Sequence, residues 1–117
     1  MLRRVSRVFL IDTDTASDDA VALIMALRAA DVRVAAITTV AGNVPVEQST
    51  RNALYTVELC GADVPVYAGA EKPLLRPYQN ATWFHGRDGL ARAEAWRRAA
   101  ALSRANSRDC PCANSNA

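Results

Sequence analysis

The sequence predicts an α/β domain whose open parallel sheet is flanked by helices. Short β-prone runs at 7–12, 33–40 and 64–68 alternate with two segments of helical character, at 18–30 and 47–60. This alternation is typical of βαβ units, in which crossover helices join parallel strands. Because ligands bind outside the carboxyl ends of parallel strands, the residues that follow each strand are the first candidates for a functional site.

The first strand and the first helix are close neighbours in the chain. Residues 7–12 read Arg-Val-Phe-Leu-Ile-Asp, an apolar run that is typical of a buried parallel strand. Ser17 is the expected N-cap of the helix at 18–30, because its hydroxyl can accept a hydrogen bond from a free backbone N–H group. The apolar side chains that fall on one face of this helix are Leu23, Ile24 and Leu27.

Turn-forming residues mark the limits of the second strand and the second helix. The strand at 33–40 is rich in Val, Ile and Thr, and Gly42 ends it. Pro45 precedes the helix at 47–60, and Gly61 is its expected stop, since proline favours the start of a helix and glycine follows its end. This helix therefore has a start signal and a stop signal of its own.

The third strand and the segment after it complete the domain. Residues 64–68 form a short β-prone run that leads into a loop rich in Gly and Pro. After residue 90 the composition changes: residues 91–105 are rich in Ala and Arg and favour a helix, and the remaining residues show no periodicity. We therefore divide the chain into an α/β domain at 1–90 and an Arg/Ala-rich helix with a disordered tail at 91–117.

Composition and charge limit the classes of function. The chain has 117 residues and a net charge of +2, and it carries no nucleic-acid motif, so it is not expected to bind nucleic acid. No apolar run reaches the length of a signal-peptide core or a membrane span. Three cysteines (Cys60, Cys110 and Cys112) do not make a disulfide framework. We expect a cytoplasmic protein with no membrane partner, and the sequence leaves a homo-oligomer open.

Four carboxylates follow the first strand within eight residues. They are Asp12, Asp14, Asp18 and Asp19. Like charges at this spacing repel each other unless a cation or strong hydrogen-bond donors compensate, and a hard divalent cation such as calcium prefers carboxylate oxygens. The dipole of the following helix accounts for Asp18 and Asp19 by itself, but not for the two aspartates before them. The cluster therefore predicts a metal site at the end of the first strand.

Two other acidic motifs were compared with this segment. An EF-hand loop that begins at Asp12 needs Gly at its sixth position and Glu at its twelfth, where this chain has Ser17 and Leu23. A haloacid dehalogenase-like phosphatase also places Asp-x-Asp after a strand, but it needs Thr or Val where this chain has Ala16. The EF-hand is excluded, and the phosphatase stays as a weak alternative.

The arrangement resembles the inosine-uridine preferring nucleoside hydrolases. Their opening signature is an apolar strand followed by Asp-x-Asp-x-x-x-Asp-Asp-Ala, which this chain matches at residues 12–20. Four further segments match in the same order along the chain: Thr39–Val44, Thr50–Ala53, Val64–Gly69 and His85–Leu90. The resemblance covers residues 8–90, and it implies that this region is the amino-terminal portion of a nucleoside hydrolase-like fold.

The resemblance also implies roles for individual residues. Asp14 and Asp19 would bind calcium, and Asp14 would be the base that activates the attacking water. Asp12 would orient the ligands without binding the metal itself. The residues expected to contact the ribonucleoside are Asp18 and Asn43, at the sugar, and His85, on the side of the base.

The implied reaction is hydrolysis of the N-ribosidic bond of ribonucleosides to a free base and ribose, a step of purine and pyrimidine salvage. Negative oxygens near the sugar stabilise the oxocarbenium-like transition state of such a reaction. Members of the family are much longer than this chain, and their remaining calcium ligands come from later segments. We therefore expect a truncated member, and an inactive calcium-binding or interaction remnant is the alternative to an active hydrolase.

Overall fold

The computed structural model describes residues 7–90. The helix and the tail predicted at 91–117, with Cys110 and Cys112, lie outside the described residues. Five elements alternate as predicted: β1 (Arg7–Thr13), α1 (Ser17–Arg28), β2 (Val32–Thr39), α2 (Val46–Leu59) and β3 (Val66–Ala68). A short helix that the sequence did not predict, α3 (Thr82–His85), follows in the loop after β3. In this part of the chain no helix is long and apolar enough to cross a membrane.

The three strands form one parallel sheet in the order β1-β2-β3. Thr13 at the end of β1 is level with Thr39 at the end of β2, which in turn is level with Ala68 at the end of β3. The carboxyl ends of all three strands therefore meet at one edge of the sheet. This register brings together the loops that follow β1 and β2, as the sequence predicts.

One apolar core lies between the sheet and the two long helices. Its buried side chains are Leu23 of α1, Val34 and Ile37 of β2, and Ala53 and Val57 of α2. Two successive right-handed crossovers in the same direction place their helices on the same face of a parallel sheet. This explains why α1 and α2 contact each other and share a single core.

Strand β1 departs from the prediction of a buried strand. It pairs with β2 alone among the strands of residues 7–90, so its other edge has no partner there. Val8 is 55% exposed and Leu10 is 71% exposed. The prediction is wrong for the described region, because an apolar run shows that a strand favours burial but not which segment covers it.

The ends of the elements differ from the predicted bounds by a few residues. Ser17 is the first residue of α1, while Ala16 occupies the N-cap without a side-chain hydrogen bond, so Ser17 is not the cap. Helix α2 begins directly after Pro45, and Gly61 follows it with a φ of 61°, which confirms the predicted signals. Strand β3 begins at Val66, because Pro65 has no N–H group to donate to the sheet.

Candidate functional site

The candidate site begins where β1 and β2 end. Asp14 is the first residue after β1, and Asn43 lies in the loop between β2 and α2. The backbone N–H of Asn43 donates a hydrogen bond to Oδ2 of Asp14 at 2.8 Å. A side chain on Gly42 would overlap with the Asp14 carboxylate, so the loop backbone packs directly on this carboxylate. The two loops therefore hold Asp14 in one position.

Asp19 lies beside Asp14, in the first turn of α1. The hydroxyl of Thr13 donates a hydrogen bond to Oδ2 of Asp19 at 3.1 Å, and the side chains of Asp14 and Asp19 are also hydrogen-bonded to each other. Two carboxyl groups can form such a hydrogen bond only when one of them is protonated. The end of β1 and the start of α1 thus bring two carboxyl groups to one place.

The pKa values of the two carboxyl groups move in opposite directions. Burial, the hydrogen-bonded Asp14 carboxylate and the charges of Asp14 and Asp18 raise the pKa of Asp19 to about 6, against the opposing hydrogen bond from Thr13. Burial also raises the pKa of Asp14, but the hydrogen bonds from Asp19 and Asn43 and the charge of His85 bring it below the ordinary value. The pair therefore keeps a proton on Asp19 until the pH reaches about 6.

The other two predicted aspartates do not join this pair. Asp12 accepts a hydrogen bond at 2.6 Å from the hydroxyl of Thr38, which lies on the neighbouring strand β2. Asp18 is exposed on the first turn of α1. Within residues 7–90, no group of three or more His, Cys, Asp and Glu side chains could hold a metal ion. The described chain thus offers two clustered carboxyl groups, and the roles of Asp12 and Asp18 stay predictions.

His85 reaches the same side of the molecule from α3. Its Nδ1 lies 3.4 Å from the hydroxyl oxygen of Ser17, the first residue of α1. The loop before α3 is joined to the site, because the N–H of Ala81 donates to the carbonyl of Asn43 at 2.8 Å. The described hydrogen bonds of Asn43 are made by its main chain, so its side-chain contact with a sugar stays a prediction.

The structure adds a tyrosine that the sequence did not indicate. The hydroxyl of Tyr78, in the loop between β3 and α3, is buried and has no hydrogen-bond partner within residues 7–90. Burial raises the pKa of this phenol, and the negative charge of Asp14 raises it further. Tyr78 lies in a loop without periodicity, so no local pattern could have placed it near Asp14.

A buried asparagine connects two of the segments that surround the site. Asn52 of α2 is 3% exposed, and its Nδ2 donates to the carbonyl oxygens of Thr15 at 2.9 Å and Asp88 at 2.7 Å. Its Oδ1 accepts a hydrogen bond from Gln48 at 2.9 Å. Asn52 therefore ties the β1–α1 loop to the turn that follows α3. The sequence indicated the segment 50–53 as a match but not this contact.

A hollow of about 300 Å³ lies between β1 and α1, next to the carboxyl pair. Most of its lining is apolar, with Phe9 and Ile11 from the strand and Leu23 from the helix, and Asp19 forms part of its wall. Asp19 therefore belongs both to the carboxyl pair and to the wall of this apolar hollow.

Comparison with known proteins decides the family. The model of the inosine-uridine preferring nucleoside hydrolase family matches residues 9–114. The chain belongs to this family. The match extends past residue 90, the expected end of the resemblance, while the division of the chain into 1–90 and 91–117 stays a prediction.

Curated relatives of this family member share about half of their residues with it over the matched region. An uncharacterised protein of Schizosaccharomyces pombe is 49% identical over 82 residues, and the non-specific ribonucleoside hydrolase RihC of Salmonella agona is 49% identical over 81 residues. Each match covers 69% of this chain and 26% of the relative. The chain thus spans about a quarter of the length of the curated relatives it matches.

Solved nucleoside hydrolases share the fold. An inosine-guanosine nucleoside hydrolase superposes with a TM-score of 0.70 at 42% identity, over 77% of this chain and 28% of that chain. A purine-preferring ribonucleoside hydrolase from Gardnerella vaginalis superposes with a TM-score of 0.70 at 31% identity, over 75% of this chain and 29% of that one. The predicted α/β class is confirmed, and the family assignment excludes the phosphatase alternative.

Nucleoside hydrolases use a metal ion, and part of the site fits one. Asp14 and Asp19 present neighbouring carboxyl groups that share a proton below a pH of about 6, and the lack of a side chain at Gly42 leaves room for the Asp14 carboxylate. A divalent cation would replace that proton and remove the repulsion between two ionised carboxylates. The described residues that could hold a metal are therefore Asp14 and Asp19.

Proposed function

We propose that this chain forms the amino-terminal part of the site of a nucleoside hydrolase, which cleaves the N-ribosidic bond of ribonucleosides to a free base and ribose. The observation that carries the proposal is the Asp14–Asp19 carboxyl pair at the carboxyl end of β1, in a chain of the inosine-uridine preferring family. The relatives' names support a small-molecule ribonucleoside as the substrate. They include non-specific and purine-preferring hydrolases, so the names do not select one base.

The carboxyl pair suits the chemistry of this bond. Departure of the base leaves positive charge on the sugar ring, and negative oxygens held near the ring stabilise that charge in the transition state. Asp14, whose lowered pKa keeps it ionised at neutral pH, is the proposed base that accepts a proton from the attacking water. Its hydrogen bond from Asn43 keeps one carboxylate oxygen in place and leaves the other for the water and the metal.

Calcium is the proposed metal. Asp14 and Asp19 would be its ligands from this chain, because calcium accepts carboxylate oxygens in irregular geometry. When bound, the ion holds and polarises the water that attacks the sugar. We keep Asp12 as an orienting residue in this proposal, although its described hydrogen bond goes to Thr38.

The remaining predicted residues would contact the substrate. Asp18, exposed on the first turn of α1, would accept a hydrogen bond from a ribose hydroxyl, and the Asn43 side chain would contact the sugar. His85, which acts electrostatically on Asp14, would face the base. We also propose a cytoplasmic role in purine and pyrimidine salvage.

The test is release of ribose from inosine and from uridine by the full chain, with calcium and with a chelator. We expect release that requires calcium, is lost in Asp14→Asn and is retained in Asp63→Asn, an exposed carboxylate in the α2–β3 loop. Folded protein that releases no ribose would overturn the proposed activity of this chain.

The inactive calcium-binding remnant is the second candidate. It would hold the ion through Asp14 and Asp19, since residues 7–90 offer no group of three or more possible metal ligands. This candidate predicts calcium binding that depends on Asp14 and Asp19 without any release of ribose. A calorimetric calcium titration beside the ribose assay distinguishes the two candidates.

A further inference from the structure

The hydroxyl of Ser17 is not used by the helix that it begins. Ala16 occupies the N-cap of α1, and no side chain caps this helix. The described hydrogen bond of the Ser17 hydroxyl instead spans 68 residues of sequence, to Nδ1 of His85 at 3.4 Å. A serine in the first turn of a helix therefore contacts the one histidine of the chain.

The other contacts of α3 leave the orientation of the imidazole ring undetermined. The helix has four residues, and the N–H of His85 bonds only within it, to the carbonyl of Ala81. The Phe84 ring meets the imidazole edge-on, with centroids 4.8 Å apart, but Phe84 is itself 71% exposed. Within residues 7–90, the Ser17 hydroxyl is thus the polar group whose hydrogen bond can set the rotation of the ring.

We infer that Ser17 is a positioning residue for His85: its hydroxyl donates to Nδ1 and so presents a protonated Nε2 to the ligand. A neutral imidazole carries one proton, and a hydrogen bond donated to one nitrogen places that proton on the other. The Nε2–H group then recognises an acceptor atom of a nucleobase, either a carbonyl oxygen or a ring nitrogen. The part of the inference that concerns the base rests on the proposed function.

The Ser17 hydroxyl suits this role because it is neutral, lies 3.4 Å from Nδ1 and can donate as well as accept a hydrogen bond.

The first test observes His85 directly and does not need activity. Because the chain has a single histidine, every imidazole signal in ¹⁵N and ¹³C NMR spectra belongs to His85. We compare the full-length parent with Ser17→Ala at a pH of about 8.5, where an ordinary imidazole is neutral. We expect the Nδ1 resonance to move toward that of a nitrogen without a hydrogen bond, and the ring to become more mobile on the nanosecond timescale.

A matched pair of variants separates the hydroxyl from the shape of the side chain. Ser17→Thr and Ser17→Val have nearly the same volume, but only the threonine keeps the hydroxyl. We expect Thr to retain the parent signals and Val to reproduce the alanine result. Thr82→Ala removes a hydroxyl from α3 that bonds to Asn80 instead, and it serves as the control. Unchanged His85 signals in Ser17→Ala and Ser17→Val would overturn the inference.

The second test concerns the base and uses ribose release from inosine. Ser17→Ala should lower kcat/KM by about tenfold in the parent and leave it unchanged in a His85→Ala background, because Ser17 acts through His85. If the effects of Ser17→Ala and His85→Ala on kcat/KM were additive, the inference that Ser17 acts on the ligand through His85 would be overturned. If the parent releases no ribose, the proposed function fails, while the NMR comparison still decides whether Ser17 positions His85.

Discussion

The backbone N–H of Asn43 donates to Oδ2 of Asp14 at 2.8 Å, although 29 residues separate the two in the sequence. The contact forms because β1 and β2 are parallel neighbours whose carboxyl ends are level, so the loops that follow them lie at the same edge of the sheet. The bond stabilises the ionised form of Asp14 and holds its carboxylate in place. The loop after β2 therefore contributes to the proposed metal site without supplying a metal ligand.

Gly42→Ala tests this arrangement. An added methyl group would overlap with the Asp14 carboxylate, so the carboxylate or the loop must move. We expect the variant to fold and to bind calcium at least about tenfold more weakly than the parent, as measured by calorimetry. Gly61→Asn is the control, because Gly61 has open space around it and asparagine tolerates its positive φ. Parent-like calcium affinity in Gly42→Ala would contradict the prediction.

The pH dependence of stability reports on Asp19. Folding raises the pKa of this group from 3.8 to about 6, so its protonated form stabilises the fold fully below the lower value and the contribution is lost as the pH rises through the higher one. We expect the metal-free protein to lose about 1 kcal/mol of unfolding free energy over this interval, a value reduced for solvent screening. The pKa of Asp14 is lowered by folding, so the titration of Asp14 changes the free energy of unfolding only below a pH of 3.8, outside this interval.

Urea unfolding followed by circular dichroism in the presence of a chelator measures this dependence. Asp19→Asn should remove the loss of stability between the two pKa values, and Asp63→Asn should keep it. The same loss in Asp19→Asn would show that another group is responsible.

Binding of calcium should release protons, and the number should depend on pH. At pH 6 the carboxyl group of Asp19 is about half protonated, so we expect release of about 0.5 proton per ion, and less than about 0.1 at pH 7.5. Calorimetry in two buffers of different ionisation enthalpy gives this number. Equal release at both pH values would contradict the assignment of Asp19 as a ligand, and Asp19→Asn provides the reference.

Asn52→Leu should destabilise the fold strongly. The substitution keeps the branching of the side chain at Cγ but removes the donors to the carbonyl groups of Thr15 and Asp88. We expect a loss of about 3 kcal/mol in urea unfolding, because buried polar groups lose their hydrogen bonds. The neighbouring Arg51→Ala breaks only an exposed ion pair with Glu47 and should cost less than about 0.5 kcal/mol. Similar losses in the two variants would contradict the structural role of Asn52.

Local patterns were sufficient for the order of the first five elements, though not for α3, and for the carboxyl pair at the centre of the site. Apolar runs and turn residues predicted the strands and helices, and the register of parallel strands placed Asp14 near the loop that contains Asn43. Thr13 carried a usable signal as well, because alternation along a strand directs its side chain away from that of Asp12. The contact between Thr13 and Asp19 could therefore have been predicted.

These local patterns could not predict contacts between segments that are distant in the sequence. The contact of Ser17 with His85 and the position of Tyr78 near Asp14 depend on how the long loop after β3 returns to the sheet, and no periodicity describes that path. The exposure of β1 depends on which segment pairs with its second edge. The family match at 50–53 includes Asn52 but does not indicate its structural role, because the two carbonyl groups that its side chain bonds lie 37 and 36 residues away in the sequence.

Strand β1 is the strand that leads to Asp14 and also the one that, within residues 7–90, has a free edge. A parallel strand added at that edge in register with β1 would end level with Thr13, and the residues after it would lie beside the β1–α1 loop, on the side away from the loop after β2. Addition of such a strand would therefore extend the sheet and complete the site next to Asp14 at the same time. Ligand affinity and the association of that strand become linked equilibria, so each must strengthen the other by an equal factor.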